Sequence, residues 1–381
     1  RRYIVLGVST NISLLNPKQL KMKLISVALL LLFANTGFAQ TNSMKVIGYF
    51  SGGTPEVDNV DAKKLTHIIF SFCHLKGNNL TVDSKKDSIT ISKLVALKKI
   101  NPQLKVMLSL GGWGGCGPCS DVFASAKGRE DFAESTLALN KLHRTDGIDL
   151  DWEYPTIEGY PKHTYRKEDR ENFSDLVKVL RKKMGQGYEI SFAAGGFKKY
   201  LEESVDWQVV MPLVDRVNLM SYDLVNGYST VTGHHTPLYS DKKTPESTDF
   251  GVQYLISHGV PKNKIVIGGA FYARVWENVP NENHGLYQPG KFKAGIDFKR
   301  YEKEFSKENG FEYFWDDNTK ASYFYNKEKG LFATGDDKKS IGLKTKYTRD
   351  QGLQGIMFWE LTSDTPKNGL LAEIDRAKSQ N

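Results

Sequence analysis

Three carboxylic side chains alternate with apolar ones in one short segment of this sequence. Residues 146–155 read DGIDLDWEYP, in which Asp149, Asp151 and Glu153 are separated by Leu and Trp. A period of two predicts a β-strand whose successive side chains point to opposite faces. The three acids then share one face while Ile, Leu and Trp share the other, which indicates a strand buried on both sides.

Stacked carboxylates of this kind are suited to proton transfer. Asp151 would lie about 7 Å above Asp149 along the strand, with Glu153 beyond it. Because like charges so close together cannot all ionise at their ordinary pKa values, the group must share protons and those values must separate. One carboxyl is then kept protonated near neutral pH, as a general acid requires. A purely structural strand would carry Val or Ile at these positions.

A metal site is the alternative use for such carboxylates. An EF-hand calcium loop that began at Asp149 would need Gly at its sixth position and Glu at its twelfth. Those positions hold Tyr154 and Tyr160, so the pattern does not fit. A carboxylate site of another design stays open, but neither a metal nor a cofactor is predicted. The remaining acid, Asp146, is expected to order the loop and the start of the strand.

Eight short apolar segments are predicted as strands, with amphipathic helices between them. The strands are expected at residues 45–50, 67–72, 105–110, 147–152, 189–194, 216–220, 264–269 and 355–360. Runs of Val, Ile and Leu that alternate with helical periodicity are typical of parallel strands covered on both faces. Eight such units predict an α/β fold, the (β/α)8 TIM barrel. The acidic segment is the fourth strand, and the active sites of such barrels lie at the carboxyl ends of the strands.

One connection is too long for a plain barrel unit. The residues after the seventh strand are rich in aromatic side chains and include FEYFWDDNTKASYFYN, a pattern typical of a β-hairpin. Residues 275–335 are therefore predicted to form a small α+β insertion subdomain between the seventh strand and the last barrel unit. The barrel then comprises residues 40–274 and 336–381.

Residues 1–39 are predicted to be a leader and signal peptide that is removed. Met22 and Lys23 precede LISVALLLLFANTGFA, which supplies a basic start, an apolar run and small residues before a cleavage site after Ala39. The apolar run is short for a membrane span, and no Cys follows the cleavage site to carry a lipid. The protein is therefore expected to be exported, to the periplasm or beyond the cell, without a membrane anchor.

The leader also carries most of the net positive charge. The chain has 52 Lys and Arg against 44 Asp and Glu, a net charge of +8, and five of the basic residues lie in the leader. Without them 47 basic residues remain, and the net charge is +3. That weak balance, together with the lack of a nucleic-acid-binding motif, argues against nucleic acid as a partner.

Two of the three cysteines form the motif CGPC. Cys116 and Cys119 lie in the loop GGWGGCGPCS after the third strand. A thioredoxin-type redox site would open a helix after the first strand of a small βαβ domain, so this context disfavours redox chemistry. A disulfide that staples the loop of an exported protein is the preferred interpretation, and the involvement of Cys73 in it stays open.

The acidic segment resembles the DxxDxDxE signature of the family 18 glycoside hydrolases, the chitinases and their relatives, at all four acidic positions. Four other segments resemble further motifs of that family: SLGG (109–112) followed by Trp113, MSYD (220–223), YARVW (272–276) and FWEL (358–361). One departure is Ala273, where the family usually has Gly. The resemblance extends over most of residues 45–381 and implies the barrel with the α+β insertion of deep-cleft chitinases.

The resemblance implies a retaining, substrate-assisted mechanism. Glu153 would protonate the glycosidic oxygen and later activate water, while the N-acetyl carbonyl of the sugar attacks the anomeric carbon. Asp151 would hold the acetamido N–H with Asp149 below it, and Tyr222 would donate to the acetamido oxygen. The implied substrate-binding residues are Tyr49, Phe72, Trp113, Tyr154, Met220, Asp223, Tyr272, Arg274 and Trp359.

These features predict a secreted, monomeric chitinase that cleaves β-1,4-linked N-acetylglucosamine polymers or oligomers. Two alternatives use the same fold: a non-catalytic lectin for chitin oligosaccharides, and an endo-β-N-acetylglucosaminidase that acts on glycoprotein glycans. Lectin-like members of the family typically lose the terminal Glu or the inner Asp, whereas this chain keeps Glu153 and Asp151. The insertion and the MSYD segment favour chitin over glycoprotein glycans.

Overall fold

A closed ring of parallel strands forms the centre of the protein, for which a computed structural model describes residues 44–380. The strands are β1 (Lys45–Phe50), β2 (His67–Lys76), β3 (Asn79–Thr81), β4 (Lys105–Gly111), β5 (Gly147–Asp151), β6 (Glu189–Gly195), β7 (Arg216–Met220), β8 (Ile265–Ala270), β9 (Tyr272–Glu277), β10 (Lys291–Asp297), β11 (Glu312–Asp316), β12 (Ala321–Asn326), β13 (Leu331–Gly335) and β14 (Gly355–Trp359). Eight of them follow the order β1-β14-β8-β7-β6-β5-β4-β2, and β1 also pairs with β2 to close the ring. The predicted TIM barrel is confirmed. The second predicted strand runs on to Lys76 because its end pairs with the short antiparallel β3.

Helices cover the outside of the ring. They are α1 (Lys85–Ala96), α2 (Cys119–Phe123), α3 (Ala126–His143), α4 (Asp169–Met184), α5 (Lys198–Glu203), α6 (Trp207–Val210), α7 (Thr248–Ser257), α8 (Tyr301–Glu304), α9 (Lys338–Asp350) and α10 (Leu370–Lys378). Five of these helices begin at a side chain that accepts a backbone N–H of the first turn: Ser84, Ser125, Asp206, Ser247 and Asp337. Each such cap stabilises its helix by about 1 kcal/mol, and so it determines where the helix starts.

The two faces of β5 have the environments that its alternation predicts. Ile148 and Leu150 are buried between the ring and the helices. Trp152, just after the strand, is also buried, and its ring lies 5.4 Å from that of Phe123 on α2 and 6.3 Å from that of Phe173 on α4. The opposite face points into the lumen of the barrel, where the acids lie.

The lumen contains its own small apolar cluster. Its buried members are Ile47, Tyr49, Ile69, Met107, Ala193, Met220, Val266 and Met357. Tyr154, Tyr222 and Trp359 pack against this cluster from the mouth. The acids of β5 therefore share the lumen with apolar side chains, which help to withdraw them from water.

An antiparallel sheet of five strands follows β8 in the chain. Its order is β10-β9-β13-β12-β11, and it covers residues 272–335. Apolar clusters cover both faces, one around Tyr301 and Phe305 and the other around Trp276 and Phe332. The first strand of this sheet begins two residues after the barrel strand β8 ends, so its side chains lie next to the barrel mouth.

A buried ion pair fixes the return of the chain from this sheet to the barrel. The Asp336 carboxylate accepts hydrogen bonds from Lys344 Nζ at 2.8 Å and from the backbone N–H of Ala270 at 2.9 Å. Ser340 Oγ donates to its other oxygen at 2.7 Å. Because both charged groups are fully buried, loss of either partner would leave an uncompensated charge inside the protein.

The predicted leader, residues 1–39, lies outside the described residues. Within residues 44–380, no helix combines the length and the apolar character needed to cross a bilayer.

Candidate active site

The carboxylate of Asp149 is fully buried in the middle of the lumen. It accepts four hydrogen bonds, from Tyr49 Oη at 3.0 Å, Ser109 Oγ at 3.3 Å, Ser191 Oγ at 2.6 Å and Asn218 Nδ2 at 3.0 Å. Burial raises the pKa of Asp149 above its usual range, and the hydroxyl hydrogen bonds oppose that rise. The carboxylate is thus held by neutral donors that fix its position.

Three of these donors are not among the predicted site residues. Ser109 on β4 and Ser191 on β6 pair directly with Asp149 in the strand register. Asn218 lies on β7, one strand further along. A sequence signal does exist, because each is the one polar residue in the interior of a strand whose other interior residues are apolar, but only the register shows that they converge on one acid.

Asp151 is buried without the partners that Asp149 has. Its side chain is 4% exposed, and its Oδ1 has no hydrogen-bond partner within residues 44–380. Burial raises the pKa of Asp151 well above its usual range, and the charges of Glu153 and Asp149 add to the rise. A buried polar atom without a partner is unfavourable, so this oxygen is placed to hydrogen-bond a ligand.

Glu153 lies just beyond the end of β5 and is partly exposed at the barrel mouth. Burial is the main cause that raises the pKa of Glu153 to about 7; the negative charge of Asp223 adds to the rise, and a hydrogen bond with Tyr154 opposes it. At neutral pH the carboxyl is therefore present in both protonation states. That is the property needed by a group that first donates a proton and later accepts one.

The segment MSYD places Met220 and Tyr222 at the end of β7. Met220 is 9% exposed and belongs to the lumen cluster. The Tyr222 hydroxyl lies 3.8 Å from Met357 Sδ, a weak acceptor. Burial, followed by the charge of Asp151, raises the pKa of Tyr222 well above its usual range. Tyr222 therefore stays protonated and is available as a hydrogen-bond donor.

Asp223 is a carboxylate of the mouth that has a cationic partner. Arg274 donates to it twice, from Nε at 2.7 Å and from the terminal nitrogen at 2.6 Å, and Tyr272 Oη donates at 2.8 Å. Burial by itself would raise the pKa of Asp223, but the hydrogen bonds with Arg274 and His235 outweigh it and hold the pKa below its usual range. Asp223 therefore stays ionised, and its charge acts on Glu153.

Aromatic rings form one wall of the site around Trp359, at the end of β14. The Phe72 ring stacks on the indole with centroids 5.6 Å apart and an interplanar angle of 14°. The Tyr49 ring lies 6.0 Å away at 50°. The peptide bonds that precede Phe72 and follow Trp359 are both cis. Phe72 and Tyr49 therefore support the indole from two sides.

A second aromatic group surrounds Trp113, which is 39% exposed. The rings of Tyr154, Tyr160 and Tyr228 lie 6.2, 5.8 and 6.3 Å from its indole. Trp113 and Tyr154 are predicted site residues; Tyr160 and Tyr228 are not. Both missed tyrosines come from long loops without periodicity, so their sequence gives no signal of where the rings lie.

His235 is a further residue that the sequence prediction missed. It is fully buried, and its Nδ1 accepts the backbone N–H of Asp223 at 3.3 Å. Its ring lies 5.2 Å from that of Tyr272. His235 therefore supports Asp223, which adopts a positive φ of 54°.

Two further features of the sequence, the acid Asp146 and the cysteines, have contacts outside the group of carboxyls at the mouth. Asp146 accepts the backbone N–H of Val106 at 2.7 Å and pairs with Lys98 at 2.6 Å, so it orders the start of β5 and does not reach the mouth. Cys116 and Cys119 form a disulfide with each other, and Cys73 is a buried free thiol.

Within residues 44–380, His, Cys, Asp and Glu form no group of three or more placed to hold a metal ion.

The fold and the geometry together define a class. In this TIM barrel, the fourth barrel strand carries the buried carboxyls of Asp149 and Asp151 towards the mouth. Glu153, just beyond them, has a pKa near neutrality, and aromatic rings form walls beside it. This arrangement is typical of a glycoside hydrolase. The model of glycosyl hydrolases family 18 matches residues 45–364. The chain belongs to this family, as the resemblance implied.

Several known proteins are similar to the chain over most of its length. It is 29% identical to chitinase A1 of Niallia circulans, over 87% of the chain and 59% of that protein, and 29% identical to chitinase B of Serratia marcescens, over 87% and 83%. Among solved structures, a multi-modular cell-surface chitinase from Paenibacillus has 31% identity and a TM-score of 0.83, over 88% of the chain and 43% of the other. A family 18 N-acetylglucosaminidase from Paenibacillus barengoltzii has 34% identity and a TM-score of 0.80, over 88% and 99%. The chain thus spans less than two thirds of chitinase A1 and of the multi-modular enzyme.

Proposed function

We propose that this protein is a chitinase that hydrolyses β-1,4-linked N-acetylglucosamine chains with retention of configuration. One observation carries the proposal: Glu153, with a pKa of about 7, stands beside Asp151, a buried acid whose Oδ1 has no partner in the described structure. A general acid and a free acceptor lie on the same face of the strand. The acid can protonate a glycosidic oxygen, while the acceptor can bind the N–H of the adjacent acetamido group. The similarity to chitinases over most of the chain supports this substrate class.

Each residue has a distinct part in the proposed reaction. Glu153 protonates the glycosidic oxygen as the bond to the anomeric carbon breaks. The carbonyl oxygen of the sugar's own acetamido group attacks that carbon from the opposite side, and an oxazolinium ion forms. Asp151 accepts the acetamido N–H, and Tyr222 donates to the acetamido oxygen. Glu153 then takes a proton from the incoming water, which restores the acid and gives a product of retained configuration.

Asp149 and the aromatic residues position the other groups. The four donors of Asp149 fix its charge below Asp151, which favours a proton on the upper carboxyl. Trp359 offers its indole face as the hydrophobic floor under the reacting sugar, since Phe72 and Tyr49 support it from other sides. Asp223, Tyr272 and Arg274 line the same mouth.

The test uses residues 40–381 and the Glu153→Gln variant, each incubated with a chitin hexasaccharide. Chromatography that separates anomers should show β-anomer as the first product of the parent protein. The variant should lose about a thousandfold of the rate, because general acid–base catalysis contributes about 10²–10⁴-fold. Glu158→Gln is the matched control, since Glu158 is an exposed residue of the same loop. An intact hexasaccharide that binds to the parent protein would instead identify a lectin.

A second candidate is favoured by one finding. The family 18 N-acetylglucosaminidase from Paenibacillus barengoltzii matches the chain over 99% of its own length, at 34% identity. The same residues could then act on shorter substrates or on glycoprotein glycans. Parallel assays on chitobiose, the hexasaccharide and an N-glycosylated protein separate these specificities, since a chitinase should be fastest on the hexasaccharide.

We also propose that the protein is exported and acts as a monomer. The leader pattern of residues 1–39 and the Cys116–Cys119 disulfide support export, because disulfides persist in oxidising compartments. N-terminal sequencing of the protein from the culture medium and from the periplasm should begin at Gln40, and light scattering gives its mass in solution.

A further inference from the structure

The CGPC motif forms a tight turn beside the barrel mouth, closed by the Cys116–Cys119 disulfide. The two residues are only 2% and 0% exposed, so their sulfur atoms are poorly placed for exchange with the thiol of another protein. A disulfide that closes so short a loop also restricts the unfolded chain less than one that closes a long loop. Neither redox catalysis nor general stabilisation therefore explains this bond well.

Trp113 lies three residues before Cys116, and the rings around its indole come from other segments of the chain. It is flanked by two glycines on each side and is 39% exposed. At least one of these glycines is required, because Gly111 has a φ of 104° and a Cβ there would lie 2.2 Å from the carbonyl oxygen of Asp151. Glycine gives the backbone additional freedom. The glycines thus let this segment pass close to the catalytic strand, but they supply no side chain that would hold the indole.

The disulfide connects that glycine-rich segment to the packed outer side of the catalytic strand. Cys119 is the first residue of α2, and Phe123 at the end of this helix is buried against Trp152 at 5.4 Å. Trp152 in turn follows Asp151 in the chain. The packing of Phe123 against Trp152 therefore connects the turn, through α2, to the strand that carries Asp151.

Side chains from strand β2 and from the loop after β5 hold the turn between them. A Cβ at Gly115 would lie 2.6 Å from the His74 ring, and one at Gly117 would lie 3.3 Å from Nε2 of His163. Tyr160 packs with its ring 4.8 Å from that of His163 and 5.8 Å from the indole of the loop's tryptophan. The turn thus lies in a slot between these side chains, and the disulfide holds it in the shape that fits this slot.

We propose that the Cys116–Cys119 disulfide is a positioning element for Trp113, which holds the indole at the mouth in the orientation that stacks on a sugar ring. The inference rests on the function proposed above and deepens it, because it names what sets the affinity for the sugar residues that reach Trp113. An aromatic side chain that is ordered before binding does not lose conformational freedom on binding. Without the disulfide, that loss of freedom would weaken the complex.

A double-mutant cycle tests the proposal in the Glu153→Gln background, where hydrolysis is expected to be about a thousandfold slower. Calorimetry with chitin tetrasaccharide compares this protein with the Cys116→Ala/Cys119→Ala variant, with Trp113→Ala, and with all substitutions together. Removal of the disulfide should weaken binding about three- to tenfold, the effect of ordering one side chain. In the Trp113→Ala background it should have no further effect. In the active protein the same cysteine variant should raise KM and leave kcat within about twofold.

A loss of affinity that is equal in both backgrounds, or no loss at all, would overturn the proposal. If the cysteine variant does not fold, Cys116→Ser/Cys119→Ser, which also removes the bond but keeps side chains of nearly the same size, takes its place with the same expectation. Failure of the proposed function looks different. In that case the parent protein leaves the hexasaccharide intact, or Glu153→Gln with an intact Trp113 and disulfide does not bind the tetrasaccharide at all.

Discussion

At the two ends of the barrel lumen, the pKa values of acidic side chains are shifted in opposite directions. At the amino ends of the strands, Glu189 forms an ion pair with Arg216 and a hydrogen bond with His67 at 2.9 Å. Burial by itself would raise the pKa of Glu189, but His67 and Arg216 hold it below the usual range. At the carboxyl ends, burial raises the pKa of Asp151 and Glu153, and no Lys or Arg of residues 44–380 pairs with either.

The difference shows what separates a structural acid from a reactive one in the same barrel. Burial acts on the acids at both ends, so it does not decide the outcome. The decisive factor is the partner: a cation keeps Glu189 ionised, while Asp151 and Glu153 lack a cationic partner and lie near other acids, which favours a proton on this pair. Asp223 follows the rule within the mouth itself, because Arg274 keeps it ionised.

The largest expected effect comes from Asp151→Asn. The substitution keeps an acceptor oxygen but removes the ionisable carboxyl, and with it the negative charge that stabilises the acetamido N–H as positive charge develops, so kcat should fall by about 10²–10³-fold, as for other groups that stabilise developing charge. The free energy of unfolding should not fall, because no paired partner is left behind. Initial rates on the hexasaccharide and urea unfolding check both statements. Asp317→Asn is the control, since its side chain is 82% exposed; equal activity of the two variants would contradict the comparison.

The opposite pattern is expected at the other end of the lumen. Glu189→Gln leaves the buried Arg216 without its counter-charge, so the free energy of unfolding should fall by about 3 kcal/mol, while kcat stays within about twofold. The stabilisation from Glu189 is present above the unfolded pKa of about 4.3 and is lost as the pH falls, because its pKa is depressed in the folded state. Glu134→Gln, which removes an exposed ion pair with Lys183, should change stability by less than about 1 kcal/mol. If Glu189→Gln were stable but inactive, Glu189 would have a role in the reaction and not in stability.

Two substitutions at the mouth should move the pH profile in opposite directions. The rate should fall as the pH rises through about 7, because Glu153 must be protonated to act as the acid. Asp223→Asn removes a charge that raises the pKa of Glu153, so this alkaline limb should move to lower pH. Arg274→Met leaves the charge of Asp223 less compensated, so the limb should move to higher pH. Profiles of kcat against pH measure both shifts. If the alkaline limb moved in the same direction in both variants, the proposed effect of these two charges on the pKa of Glu153 would be wrong.

The smallest effect concerns stability. Because the pKa of Glu153 is raised in the folded state, the folded protein holds a proton that the unfolded chain releases at lower pH. The parent protein should therefore lose stability relative to Glu153→Gln as the pH rises from about 5 to about 7, with a constant difference below about pH 4. Paired urea titrations across this range measure the trend. A difference that grows in the other direction would mean that Glu153 is ionised in the folded protein.

Much of the site could be predicted because its chemistry lies in contiguous residues. The alternation in residues 147–152 fixes which side chains of β5 share a face, and the barrel follows from eight strands of similar pattern. The rest depends on contacts between distant segments. Ser191 and Asn218 reach Asp149 only through the strand register, and Tyr228 reaches Trp113 only through the course of a long loop. The disulfide partner of Cys116 was likewise left open.

By itself, the sequence determined the acids, their order along one strand face, and the architecture that carries them to the mouth. A period of two and a run of apolar residues are local properties, and they persist wherever the segment lies. Only the tertiary structure decided which acid holds a proton, since the pKa of each carboxyl depends on burial and on partners brought from other strands. Arg216 reaches Glu189 but not Asp151, and that choice follows from the packing of eight strands into one ring.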